Sequence, residues 1–435
     1  MKNFGRGAST PRWWQRLLGI AALDLTPLRA SRDYRLLFLG QFVSAFGYAI
    51  SYVVLPWQVY KLTQSTLLVG LLGLAEFVPM FAFALLGGAL ADAVDRRRLI
   101  LWAEAALALS CTGLIVNALL PAPHVWVLFV GAALTAGANA VHRPALESLT
   151  PQLVPAEHMP AVAALSTFRF SFTFIVGPAL AGLIAERLGP ATAYGIDLLT
   201  YAVSIVTLLA IRSVPVPDGT APVSLHGIAD GLRYARSRPE LMGTYLIDIN
   251  AMFFGMPIAL FPAIAASFGG AAVGLFYSML AVGPLLVTLT SGWTSRIHRH
   301  GLGITWAVVV WGFAIIGFGL SHNLWIALAC LVIAGGADCV SGLFRMTMWN
   351  QTIPTRLRGR LAGVEMVSYL SGPYLGNAEA GLVASAFGLR TSVVSGGVLC
   401  VAGAGLLALL LPKFIRYDAR EGLASKKTED VSTLT

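Results

Sequence analysis

Seven carboxylates stand inside otherwise apolar runs of this chain: Glu76, Glu104, Asp197, Asp248, Asp338, Glu365 and Glu379. An acid is costly to bury in such surroundings, and the chemistry it can do there is to take up and release a proton. For any one of them, a structural salt bridge or hydrogen bond is the competing reading. Arg169 and Arg345 also lie in apolar runs. Each could neutralise one of the acids or bind an anionic ligand, and their spacing does not pair them. Other chemistries lack their residues. Cys111, Cys330, Cys339 and Cys400 have no metal-ligand spacing and read as small apolar side chains. There is no H-E-x-x-H and no G-x-S-x-G, which argues against a membrane-embedded hydrolase. The phosphate-binding run G-x-x-x-x-G-K-[ST] is missing and no Gly-Lys pair occurs, so an ion gradient is the expected energy source. No enzymatic activity, cofactor or metal is expected.

The elements that carry these acids follow from composition. The chain has 435 residues, 57% of them hydrophobic and 12% charged, with a mean hydropathy of +0.74. That is more apolar surface than a water-soluble core can hide. Stretches of roughly 20 apolar residues, enough to cross a bilayer, recur almost end to end. Twelve spans are expected, over 34–56, 67–90, 99–120, 125–148, 161–187, 190–211, 241–266, 271–295, 301–320, 323–349, 359–387 and 389–411. They must be helices, because lipid offers backbone groups no partner and the runs do not alternate as barrel strands do.

The formal charge of +9 does not point to nucleic acid, because the basic residues sort by membrane side. Of 30 Lys and Arg, only Lys61, Arg187 and Arg390 fall in outer loops and Arg169 within a span; the other 26, Arg143 and Arg345 among them, are assigned to the inner side. This positive-inside bias predicts both termini in the cytoplasm. No cleavable signal peptide is expected before Tyr34. Arg12-Trp-Trp-Gln-Arg-Leu-Leu18 suits a short interfacial helix, a disordered tail being the alternative. Trp57, Trp126, Trp293, Trp325 and Trp349 sit near span ends, as an interfacial belt would.

The longest polar stretch divides the spans six and six. The expected organisation is an N-terminal segment 1–31, a first half 32–211, a cytoplasmic linker 212–240, a second half 241–411 and a tail 412–435. A shift of 199 lays Gly177–Thr192 on Gly376–Thr391 with eight identities in sixteen positions. A shift of 204 lays Val69-Gly70-Leu71 on Val273-Gly274-Leu275. Two such repeats would place a binding site between them near the midplane.

Between the second and third spans the chain reads Gly88-Ala-Leu-Ala-Asp92-Ala-Val-Asp95-Arg96-Arg97-Arg98. This resembles the major facilitator superfamily signature G-x-x-x-D-[RK]-x-G-[RK]-[RK]: Gly88, Asp92, Arg96 and Arg97 match, while Ala93 and Asp95 depart from it. Gly177-Pro178-Ala-Leu-Ala-Gly182 looks like part of the run found in antiporter-type exporters of that superfamily, without its upstream glycine. The seventh span from Asp248 to Pro262, with Tyr194-Gly-Ile-Asp197 and Leu119-Leu-Pro-Ala-Pro123, is similar to the branch holding the enterobactin exporter and related multidrug proton antiporters.

The resemblance, which covers about 32–411, implies an all-α integral membrane protein with the major facilitator fold. It implies a secondary active transporter, a proton-coupled exporter of a small amphipathic molecule, drug-like or siderophore, working by alternating access in the inner membrane. An importer or facilitator of the same fold is the alternative. The implied partners are substrate, protons and lipid, with no nucleic acid, and the protein is expected to be a monomer. By the same analogy helices one, four, seven and ten line the cavity. This favours Asp248 and then Asp338 for proton exchange, followed by Asp197 and Glu76, with Asn250, Gln41, Tyr48 and Asn139 as polar lining. At 1.5 Å per residue, Asp248 and Asp338 would lie roughly 10 and 16 Å deep, close enough to share one cavity. Asp92 is expected to hold one conformation through a basic residue or a helix end, and Gly177, Pro178 and Gly182 to pack.

Overall fold

A computed structural model describes residues 23–212, 233–353 and 358–420, without the side chains of 85–93, 358–360 and 362–370. The expected interfacial helix near Trp13, most of the expected linker and the end of the tail lie outside these residues.

All regular structure among the described residues is helical. The first half comprises α1 (Arg32–Thr63), α2 (Thr66–Ala93), α3 (Arg96–Leu119), α4 (Val125–Leu153), α5 (Met159–Arg187) and α6 (Pro190–Leu209). The second comprises α7 (Pro239–Phe254), α8 (Ala272–Leu289), α9 (His300–Leu320), α10 (Leu324–Thr352), α11 (Arg358–Phe387) and α12 (Leu389–Leu410). Eleven of the twelve are long and apolar enough, over described side chains, to cross a membrane, and α11 completes the set. Large apolar side chains such as Trp102, Leu199, Trp325 and Leu409 stand well exposed on the outer faces. Such faces require lipid as their solvent, and the chain is a multi-pass membrane protein.

Local chemistry sets the helix ends. Ser31 caps α1 by accepting from Tyr34 N at 3.2 Å, and Gln64, with φ 52°, ends it in the left-handed region. Asn117 braces the turn between α3 and α4 by donating to His124 O and accepting from His124 N at 2.8 Å. Asn323 caps α10 by accepting from Trp325 N at 2.8 Å. The repeat seen in sequence recurs in conformation: Gly189 opens α6 with φ 83° and Gly388 opens α12 with φ 95°. Those positions differ by the same 199 residues, and a side chain at either would be strained.

The seventh span departs from expectation. A continuous helix over 241–266 is not what forms: α7 stops at Phe254, and short turns over Ile258–Leu260, Phe261–Ala265 and Ala266–Phe268 complete the crossing. Pro257 and Pro262 lack the N–H that a helix needs. The freed backbone groups find side chains instead. Trp311 Nε1 donates to Gly255 O at 2.9 Å, and Asn377 Oδ1 accepts from Ala259 N at 3.1 Å. The eighth span likewise ends at Leu289, with a tighter 3-10 segment Ser291–Arg296 behind it.

Within the first half α2 packs on α4, α1 on α6, and α3 on both α4 and α6. Within the second, α8 packs on α10, α7 on α11 and α12, and α9 on α10 and α12. The halves meet chiefly through α2 against α11 and α5 against α8. Trp349 also ties α10 to α7, its Nε1 donating to Thr244 Oγ1 at 2.8 Å. Trp57 is buried beneath Lys61.

Candidate functional site

A cavity of about 370 Å³ lies between the halves, bordered by Tyr48 of α1, Glu76 of α2, Asp197 of α6, Asp248 of α7, and Asp338 and Arg345 of α10. Asp338 and Arg345 are seven residues apart, two helical turns, and so share one face of α10. Arg345 forms an ion pair with Asp248, and its second terminal nitrogen stands 4.0 Å from Asp338 Oδ1. The Arg345 and Asp248 side chains are 7% and 4% exposed, whereas that of Asp338 is 42% exposed and faces the cavity. Arg345 is therefore not an inner-surface cation, as its place near the end of a span suggested. It is the shared counter-ion of two buried-site acids, which makes the site a triad with one negative charge left over when both carboxyls are ionised.

On the opposite wall, Asp197 accepts from Cys111 Sγ at 3.2 Å and lies 3.4 Å from Thr200 Oγ1. Cys111 is thus a donor to a cavity acid rather than an inert filler. Glu76 borders the cavity half-buried, with no hydrogen bond or ion pair among the described residues. Aromatic rings line the same space: Tyr52 meets Tyr277 edge-on at 5.5 Å between centroids, and Phe170 packs on Phe174 at 4.7 Å.

A side chamber of about 150 Å³ opens off the first half, bordered by Gln41, Glu104, Asn139, His142, Arg143 and Arg169. Tyr48, Phe170 and Tyr201 border both spaces, so the chamber and the central cavity share a wall. Gln41, expected as cavity lining, spends its amide on Glu104 Oε1 at 2.9 Å. Asn139 donates to Thr135 O in its own helix. Asn250 is not on the cavity wall: it donates to Cys400 O at 2.9 Å and faces α12. Arg169 has no hydrogen bond or ion pair among the described residues, while Arg143 pairs with Glu147 at 3.0 Å. Glu379 is half-buried away from the cavity, and the side chain of Glu365 lies outside the described residues. No cluster of His, Cys, Asp and Glu able to hold a metal occurs among the described residues.

Of the loop motif, Gly88 and Asp92 fall where side chains are not described. Arg96 is buried, and Arg97 caps the end of α6 by donating to Leu208 O at 2.7 Å and Leu209 O at 2.8 Å. Asp95, the departure from the signature, caps α3 by accepting from Arg97 N at 2.9 Å. In the α5 motif, Gly177 meets Ala49 of α1, and Pro178 and Gly182 meet Gly274 of α8.

The family of major facilitator proteins described as transmembrane secretion effectors matches residues 22–431, nearly the whole chain. The chain belongs to that family. Among similar proteins are the enterobactin exporters of Salmonella typhi and Citrobacter koseri, each 28% identical over 91% of this chain and over 96% and 95% of their own lengths. Solved structures with the same fold include a POT family transporter in complex with 5-aminolevulinic acid, at TM-score 0.72 and 12% identity over 88% of this chain and 97% of that one. A D-xylose-proton symporter matches at TM-score 0.70 and 12% identity over 87% of this chain and 98% of that one. The secretion effector family thus supplies the scaffold, and twelve helices in the facilitator arrangement are what place α7 and α10 of this member across the cavity from α1 and α6.

Proposed function

We propose that this secretion effector is a proton-coupled exporter of a small amphipathic molecule, a drug-like compound or a siderophore. It would lie in the inner membrane with both termini in the cytoplasm and work as a single chain by alternating access. The observation that carries the reading is the triad of Asp248, Asp338 and Arg345 inside a cavity between two pseudo-equivalent halves. One guanidinium balances one carboxylate; the second carboxylate needs a proton, or a cationic group of a substrate, to close the charge balance in a low-dielectric wall. The resemblance to the superfamily favoured Asp248 as the exchanging acid, with Asp338 second. The burial of Asp248 against Arg345 favours Asp338 for that task, because both acids border the cavity but Asp338 is the more exposed to it, with Asp248 holding the guanidinium in place. Substrate release towards the outside and proton entry from it would then compete for one charge.

Two features support the substrate class. Relatives described as enterobactin exporters match along nearly the full length. The cavity wall combines aromatic rings with Arg143 and the unpaired Arg169, which suits an aromatic molecule bearing polar or acidic groups. The test is accumulation of enterobactin, and separately of ethidium, by inside-out membrane vesicles carrying the protein. An acid interior should drive uptake of at least one of them, and a protonophore should collapse it. Uptake that ignores the pH gradient, or that appears only in right-side-out vesicles, would overturn coupling or direction respectively.

A further inference from the structure

The acid pair of α7 and α10 is not the molecule's one buried titratable pair. Glu104 of α3 is fully buried, and four donors converge on its Oε1: Gln41 Nε2 at 2.9 Å, Ser204 Oγ at 2.9 Å, His142 Nε2 at 3.2 Å and Ser44 Oγ at 3.3 Å. Its other oxygen, Oε2, is equally buried and has no partner. A carboxylate kept only for structure would be satisfied at both oxygens. Here one oxygen is surrounded and the other is dry, which is the arrangement that accepts a proton on Oε2 without displacing any donor. Three of the four donors are neutral groups. His142 is the one that can itself gain and lose a proton.

His142 also supplies the route. Glu104 has no exposure of its own, whereas the His142 side chain is 11% exposed and borders the side chamber that shares a wall with the central cavity. The other charged or titratable groups around the pair are Arg143 of α4, Arg169 of α5, Tyr48 of α1, and Tyr201 and Asp197 of α6.

We propose that Glu104 and His142 form a second proton-exchange site, carried by the first half as Asp338 and Asp248 are carried by the second. The inference rests on the proton-coupled reading above and deepens it: each half brings its own proton, and a cycle moves two. Proton transfer is from chamber water to His142 Nδ1 and from Nε2 to Glu104 Oε1, the oxygen it contacts at 3.2 Å; a half-turn of the carboxyl then carries that proton to the Oε2 position and leaves the ring neutral.

The experiment is pH-difference infrared spectroscopy on the full-length protein in liposomes, with no substrate and no gradient. Stepping from about pH 8 to about pH 5 should raise the carbonyl band of a protonated carboxylic acid, a component of which is absent in Glu104→Gln and retained in Asp248→Asn. In His142→Gln the same component should appear at least about tenfold more slowly. A Glu104→Gln difference spectrum that superimposes on the wild type would overturn the proposal. Should that variant fail to fold, His142→Gln decides alone: a band that rises in it as fast as in the wild type would overturn the proposal equally. In vesicles, Glu104→Gln should lower the steady-state enterobactin accumulation driven by one pH unit by about tenfold, one proton's worth. Absence of any gradient-driven accumulation by the wild type would remove the coupling reading while leaving the infrared result standing, so the two failures are distinguishable.

Discussion

Gly182 of α5 and Gly274 of α8 meet backbone to backbone: a Cβ placed on Gly182 would lie 3.0 Å from the amide nitrogen of Gly274. The partner contact is Gly70 of α2 against Gly381 of α11, where a Cβ on Gly70 would lie 2.9 Å from the Gly381 Cα. Gly182 and Gly381 are related by the 199-residue shift and Gly70 and Gly274 by the 204-residue shift, so the two crossings are the same contact made twice. Ser278 Oγ, donating to Ile175 O at 2.6 Å, and Thr66 Oγ1, at 3.4 Å from Gly381 O, reinforce them. All four glycines lie towards the helix ends that carry Thr66, Arg187, Ala272 and Phe387, so the halves are clamped together at that face of the membrane.

Gly182→Val should therefore part the halves at this end. Spin labels at Glu186 and Ser267, both exposed beside the contact, should report longer distances in the variant than in the wild type. Export of whichever probe the wild type carries should fall at least tenfold, because one of the two states has lost its closing contact. An unchanged distance distribution would mean that the glycines pack without gating.

Removing Arg345 should unbalance the triad. Arg345→Gln leaves Asp248 buried without its cation, at a cost of about 3–5 kcal/mol, visible as a lower thermal midpoint in detergent. The double variant Arg345→Gln with Asp248→Asn should recover most of that loss, since it removes both charges. Asp338→Asn should leave the midpoint nearly unchanged and lower the accumulation driven by one pH unit by about tenfold, its proton's share, while substrate exchange at equal pH survives. If Asp338→Asn concentrates substrate as well as the wild type does, exchange belongs to Asp248, Asp197 or Glu76.

Arg97, half-buried in the first turn of α3, is expected to matter for stability more than its place in a run of three arginines suggests. Its two hydrogen bonds close the carbonyl end of α6, where a cation is favoured by the helix dipole as well. Arg97→Leu should cost about 1 kcal/mol, and Arg97→Lys, which keeps the charge but not the fork, should recover part of it. Equal midpoints for wild type and Arg97→Leu would reduce the residue to a surface anchor.

The orientation is testable on its own. Single cysteines at Lys61, Asp218 and Lys427 in a chain without its native cysteines should react with an impermeant reagent from outside only at the first position. Reaction of either of the others would invert the topology proposed from the basic residues.

How much of this was legible in the sequence differs by residue. Hydropathy alone determined the twelve helices, because the solvent of each residue is written in its own side chain, and lipid leaves helices as the only spanning structure with satisfied backbone groups. The internal repeat was also legible, down to the glycines that make the two clamps, because a close backbone approach admits no side chain and so leaves its mark in residue type. Asp248 and Asp338 were picked out by the resemblance, which puts helices seven and ten on the cavity, and rise per residue added that their depths are compatible. What depth could not supply was the direction in which each side chain points around its helix. A span that is apolar on every side carries little signal of its inward face, so Asn250 was placed in the cavity although it faces α12, and Arg345 was counted with the surface cations although it holds the triad together. Glu104 and His142 stand 38 residues apart in the chain, on different helices, and Cys111 and Asp197 stand 86 apart. Only the packing of α3 against α4 and α6 brings each pair into contact, because the partner of a buried polar group is chosen by which helices touch and at what rotation, and that is decided in three dimensions.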